Sequence, residues 1–494
     1  MLAIENSYAN LSFISYEELS VENQLTYQVI LDYLGTTENS IPFLLYYEPL
    51  TPYTGLQAQL PVILAEFPLN SKDDIEVYLE LLSTMPEYFD SLLLFESAKA
   101  EQGLFMSNTQ LDSVIEDCNV FINMEDNYLI STFDSRIESV STLTDEERTT
   151  FRLLNEETIQ TYAIPAYELL RDGLESFRDT GCNDMGLCYY TNGRAYYAQL
   201  IQSNVGSSRS ISEIQVLIET QLLQDLTDLS AELPLPDLSS ADEMISYSSY
   251  DEILFDLKDS IATTFPTPAS VTTTIKSVPT EMEPYLSPAF YLIPPIDNTY
   301  ENTIYINGLQ MTDNVSLYTT LAHEGYPGHL YQTTYFASQT PDPIRSIFNY
   351  GGYSEGWATY AEMCSYYLSD LIAPINTILQ KNSSLMLGLY AYADLGIHYE
   401  GWNLADTIDF YQTYGITDST TIEQIYALIL ATPSNYLKYY LGYVELLELK
   451  RDCIETWGEE FSQIRFHKAV LDAGPMSFEL LRSVVLDSEI IQLE

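Results

Sequence analysis

The chain of 494 residues sets 19 lysines and arginines against 72 aspartates and glutamates, a formal charge of −53. So acidic a surface has few cations with which to neutralise phosphate, which disfavours nucleic acid and anionic membranes as partners and either favours cationic substrates in its long-range field or serves solubility alone. At 46% hydrophobic residues the chain can bury a large core, which excludes an intrinsically disordered protein, and the lack of an apolar run of about 18 residues predicts no membrane-spanning segment.

The first residues, Met1-Leu2-Ala3-Ile4-Glu5, have neither the basic region nor the apolar stretch of a secretory leader. The expectation is a cytoplasmic protein, or an extracellular or cell-surface one from which a leader has been removed. Residues 1–230 read as an N-terminal helical region. Residues 73–82 keep the helical period behind Ser71 as a cap, and the stretches 111–122 and 144–174 read likewise. The segment 180–193, rich in glycine, cysteine and asparagine, reads as a loop. Its Cys182 and Cys188 are close enough in sequence to bridge in an oxidising compartment. Cys118, Cys364 and Cys453 read as isolated thiols, and the chain has no cysteine cluster of the zinc type.

Residues 231–494 read as the catalytic region, integrated with the first around a cleft. Prolines crowd its beginning, from Pro234 to Pro295. Between them Val271–Ile275 and Thr303–Ile306 are β-branched runs, predicted as strands of a small sheet beside a catalytic helix. That helix is expected over 313–330, with Asp313 as its cap. It carries His323-Glu324-Gly325-Tyr326-Pro327-Gly328-His329, a His-Glu-x-x-x-Gly-His motif. A second helix over 354–371 presents Glu355 near its start.

Two histidines and a glutamate are a ligand set that zinc takes while keeping one position open for water. The six-residue spacing matters. On an ideal helix i+6 lies roughly 240° around the axis, so one unbroken helix cannot offer both His323 and His329 to one ion. Pro327 cannot donate to the helical ladder, and Gly328 tolerates unusual backbone angles. The helix is therefore predicted to fail between Gly325 and His329, folding His329 back toward His323. Glu324 stands where a general base would, and Glu362, two turns beyond Glu355, where a carboxylate could orient a ligand histidine. Further on, Asp394 and His398 share a helix face. His398 is a candidate for holding substrate or an oxyanion, Tyr439 or Tyr440 for donating a phenol to it. His467 reads as structural.

His-Glu-x-x-Pro-Gly-His followed by Glu-Gly-Trp-Ala-x-Tyr-x-Glu resembles the bacterial "domain of unknown function 885" family (DUF885), itself similar to helical zinc metallopeptidases of the gluzincin type. The resemblance extends to Asp73-Asp74 and Tyr78, Gly186 to Tyr189, Tyr196-Tyr197, Asp394 to His398, Gly401-Trp402, Tyr439 with Gly442, and Phe466-His467 with Gly474-Pro475. Leu330 replaces a histidine often found after the second ligand, and Lys450 stands where an arginine is expected. The resemblance implies a mainly α, multi-helix zinc-peptidase-like fold, His323, His329 and Glu355 as the Zn2+ ligands, Glu324 as the base, and an edge strand that pairs with an extended peptide substrate. The function expected is a zinc metallopeptidase. The alternative is a non-catalytic surface protein that binds peptide or glycan on the same fold. A di-iron carboxylate protein would need paired Glu-x-x-His sequences, which the chain lacks.

Overall fold

Local capping chemistry starts the helices where the sequence places them. A computed structural model of the chain describes residues 2–486 apart from 53, 279, 281, 282, 284, 285 and 312. Ser71 and Asp74 form a reciprocal capping box at the head of the helix Lys72–Glu101, and Thr144 and Glu147 do the same for Asp145–Thr158. Each box satisfies amide hydrogens that the first helical turn would otherwise leave without acceptors. The predicted stretch 111–122 is the helix Asn108–Ile122. The stretch 144–174 is one rod with a wider turn at Ile159–Ala163. The protein is mainly α with one small sheet, as expected. None of its described helices is long and apolar enough to cross a membrane.

The chain forms two compact units, and they do not follow a boundary at residue 230. One is built on Phe43–Thr191. Its core is aromatic: Tyr167 stacks on Phe121 with ring centroids 4.1 Å apart and meets Phe89 edge-on at 5.0 Å. The other collects Met1–Pro42, Asn192–Val278 and Leu286–Glu494. Burial, rather than order in the chain, groups these segments. The helix Ile211–Ala231, for instance, packs along Ile375–Leu395. All five cysteines are unbridged, and the Cys182 thiol donates to the Gly103 carbonyl.

The sheet lies in this second unit. It comprises β1 (Thr272–Ser277), β2 (Ala289–Leu292) and β3 (Glu301–Ile306) in the order β1-β3-β2. β1 runs parallel to β3 with Ile275 opposite Ile304, and β2 runs antiparallel with Tyr291 opposite Ile304. The run Thr303–Ile306 therefore belongs to the central strand and not to an edge. Its residues 304–306 are all buried, as expected of a strand covered on both sides. The strand beside the helix Asn314–Glu324 is β2, a short segment between prolines with no β-branched run to announce it.

Two long helices, Gly351–Leu368 and Asn435–Trp457, form the closest crossing of the unit. A Cβ on Gly356 would lie 2.6 Å from the Gly442 Cα, and one on Gly442 would lie 2.3 Å from the Gly352 carbonyl oxygen. The backbones meet with no room for side chains. Glu355 and Tyr439 flank this crossing and are brought to the same place by it.

Candidate metal centre

The helix Asn314–Glu324 begins at Asp313, whose carboxylate accepts the Ser316 amide hydrogen at 2.7 Å. It stops at Gly325, whose φ of −107° and ψ of −103° leave the helical region. The next peptide bond, Tyr326–Pro327, is cis. The chain then folds back: the Gly328 amide donates to the Ala322 carbonyl at 2.9 Å, and the helix His329–Ser338 begins. A Cβ at Gly328 would sit 1.8 Å from the His323 carbonyl oxygen, so only glycine allows this return. One predicted helix is thus two, broken where the proline and glycines required it. His323 and His329 now face one another, ring centroids 4.9 Å apart and nearly perpendicular.

Glu355 completes the set. Its Oε2 lies 3.2 Å from His329 Nε2 and 3.7 Å from His323 Nε2. One ligand atom from each of the three residues falls within 4.8 Å of the others. The side chains keep 12%, 18% and 24% exposure for His323, His329 and Glu355, so the cluster is open to solvent. On the far side of His323, Glu362 Oε2 lies 3.1 Å from Nδ1. A carboxylate only accepts, so Nδ1 carries a hydrogen toward Glu362. Burial by itself would depress the His323 imidazole, but the carboxylates of Glu355 and Glu362 outweigh it and hold its pKa well above the usual value. Burial would likewise raise the Glu355 carboxyl, and the two histidines hold it well below the carboxylate range instead. Two imidazoles and a carboxylate converging in this way are residue types that can hold a divalent transition metal ion, and Glu362 stands to His323 as the outer carboxylate of a metal-bound histidine does.

Glu324 is 9% exposed. Its Oε2 accepts the backbone hydrogen of Tyr291 from β2 at 2.8 Å, while Oε1 has no hydrogen-bond donor among the described residues. The sheet thus fixes the carboxylate through one oxygen and leaves the other for chemistry. Tyr439 lies alongside, its ring 6.2 Å from that of His323 and nearly parallel to it. Burial and the charges of Glu355, Glu324 and Glu362 raise its phenol, so it remains a hydrogen donor at any physiological pH.

His398 is not part of this cluster. It is 1% exposed, donates from Nε2 to the Ile429 carbonyl at 2.9 Å and stacks on Tyr197. Burial pushes its pKa down to about 4. An imidazole committed in this way is not placed to hold substrate or an oxyanion, contrary to the role expected from its spacing. Tyr440 points the other way from Tyr439 and is fully buried against Gly388. Lys450 donates to the Tyr360 hydroxyl at 2.8 Å, a single-donor contact that a lysine makes as well as an arginine. Two neighbours of the cluster carried no signal in the sequence. The Tyr291 amide hydrogen is a backbone group with no residue-type signal. Lys438, beside Tyr439, was legible only as one of the chain's few cations.

The family model "Bacterial protein of unknown function (DUF885)" matches residues 2–233 and 221–485. No curated protein matches the chain. Among solved structures, a "putative lipoprotein" from Colwellia psychrerythraea aligns with a TM-score of 0.85 at 19% identity, covering 98% of this chain and 89% of that one. A "putative lipoprotein of unknown function" from Shewanella oneidensis aligns at 0.63 with 14% identity, covering 98% and 91%. At these identities the likeness is one of fold.

Proposed function

The chain belongs to the bacterial DUF885 family of proteins of unknown function, and from that premise we propose that it is a zinc-dependent metallopeptidase. The observation that carries the reading is the convergence of His323, His329 and Glu355 with a fixed glutamate, Glu324, on the same helix. Zinc is the ion such a set takes when it also leaves a position for water. Bound there, it would polarise a peptide carbonyl and bring the pKa of water to about 7.

The remaining roles belong to the chain. Glu324, held at Oε2 by the Tyr291 amide, accepts the proton of the attacking water at Oε1 and returns it to the leaving amine. Tyr439 donates its phenolic hydrogen to the carbonyl oxygen as charge develops on it. Glu362 keeps His323 in the tautomer that ligates through Nε2. The order of the motif, His-Glu, then His, then Glu, supports the likeness to gluzincin-type peptidases. The descriptions of the two structural neighbours as lipoproteins support a place at the cell surface.

Metal analysis of the purified chain and hydrolysis of a mixed peptide pool test the reading. One zinc per chain and cleavage that a chelator abolishes are expected. A protein that binds no zinc and cleaves nothing after zinc is supplied overturns it.

A further inference from the structure

Among the described residues Lys438 is a cation with neither an ion pair nor a hydrogen bond, and it stands beside the His323 cluster. It lies one residue before Tyr439 on the helix Asn435–Trp457. Its methylene stem fills the space over Gly351, where a Cβ would meet Lys438 Cδ at 2.8 Å. Its ammonium lies over the Tyr439 ring, 5.9 Å from the centroid; burial lowers its pKa, and the charge of Glu355 opposes that shift. Most cations of this chain are held by carboxylates or carbonyl oxygens. Among the described residues Lys258, Lys276 and Lys438 have neither an ion pair nor a hydrogen bond, and of these Lys438 adjoins the His323 cluster. An ammonium carries three hydrogens to donate, and none of the described residues accepts one here.

The carboxylates of the site present the opposite case. Glu355 faces both histidines, Glu362 is bonded to His323, and Glu324 is bonded to the Tyr291 amide. Each carboxylate of the cluster already has a partner through one oxygen, whereas the Lys438 ammonium has no hydrogen-bond partner among the described residues.

We propose that Lys438 binds the C-terminal carboxylate of the substrate, so that the site acts on peptides with a free carboxyl end close to the scissile bond. The inference rests on the peptidase reading above and narrows it to an exopeptidase acting at that end. In a chain of charge −53 a local cation of this kind is what admits an anionic terminus that the surrounding field repels.

The test compares one short neutral peptide as free acid and as C-terminal amide, using zinc-loaded full-length protein with zinc content measured for every variant. The wild type is expected to favour the acid by roughly tenfold to a hundredfold in kcat/KM, the range of one charge-assisted contact. Lys438→Met keeps the stem over Gly351 and should bring the ratio close to one, mainly through KM. Lys438→Arg should restore the preference. A wild-type ratio near one, or a preference that survives in Lys438→Met, overturns the assignment while leaving the peptidase intact. Calorimetric binding of the same two peptides to Glu324→Gln and to Glu324→Gln/Lys438→Met reads the contact without turnover. If no variant cleaves either peptide, acid-selective binding that disappears with Lys438 still upholds the assignment, and equal binding of acid and amide overturns it.

Discussion

Trp357 donates its indole hydrogen to the Pro327 carbonyl at 2.8 Å, and both residues are buried. Trp357 follows Glu355 by two residues and Pro327 precedes His329 by two. A single hydrogen bond therefore ties the helix that delivers the carboxylate to the turn that brings the two histidines together. Gln332 adds a second tie, from Nε2 to the Tyr353 carbonyl at 3.2 Å.

Trp357→Phe keeps most of the ring volume and removes the donor. The Pro327 carbonyl is then buried without a hydrogen, at a cost of about 1–3 kcal/mol. The expected result is a lower urea midpoint together with weaker zinc affinity, because the turn is no longer held against Glu355. An unchanged zinc affinity in a destabilised protein would show that the tie serves the fold alone.

Glu324→Gln should bind zinc as the wild type does and keep the Tyr291 hydrogen bond through its amide oxygen. On the proposed mechanism it loses the group that moves the proton, so turnover should fall by about 10²- to 10⁴-fold. Hydrolysis near the wild-type rate would remove Glu324 from the mechanism.

Glu355 and Glu362 lie two turns apart on one helix and should differ in degree. Glu362→Ala loses the partner of His323 Nδ1 and should weaken zinc binding by about 10- to 100-fold. Glu355→Ala loses a direct ligand and should weaken it far more. Titration against a competing chelator ranks the two, and the reverse order would mean that the outer and inner carboxylates have been exchanged.

His467 gives the fold a pH dependence. Its Nδ1–H donates to the Thr264 carbonyl at 2.7 Å, and its Nε2 accepts from Tyr360, which itself accepts from Lys450. The relay needs a neutral imidazole. Burial pushes the pKa down to about 3, against 6.5 when the chain is unfolded. Between these values the unfolded state binds the extra proton, so this stability is complete above pH 6.5 and is lost as the pH falls toward 3. His398, lowered to about 4, acts in the same direction. His467→Asn should be less stable at pH 7, yet its urea midpoint should fall less between pH 7 and pH 4.5 than that of the wild type. Parallel losses in the two proteins would exclude His467 as the titrating group.

The sequence by itself determined what is local. Proline without an amide hydrogen and a glycine against the His323 carbonyl break the helix between Gly325 and His329. The six-residue spacing then makes that break the condition for a shared ligand. Caps at Ser71 and Asp313 were legible because the bonds that satisfy them lie within three residues. Glu362 followed from its seven-residue spacing from Glu355. The tertiary structure decided what depends on partners distant in the chain. It made Thr303–Ile306 a central strand and gave the site-facing edge to Ala289–Leu292, since strand order is set by pairing and burial rather than by composition. It buried His398, whose helical spacing from Asp394 looks the same whether that face meets a cleft or a core. It also left Lys438 without a hydrogen-bond partner among the described residues, which is a property of the surroundings that no residue carries in its own name.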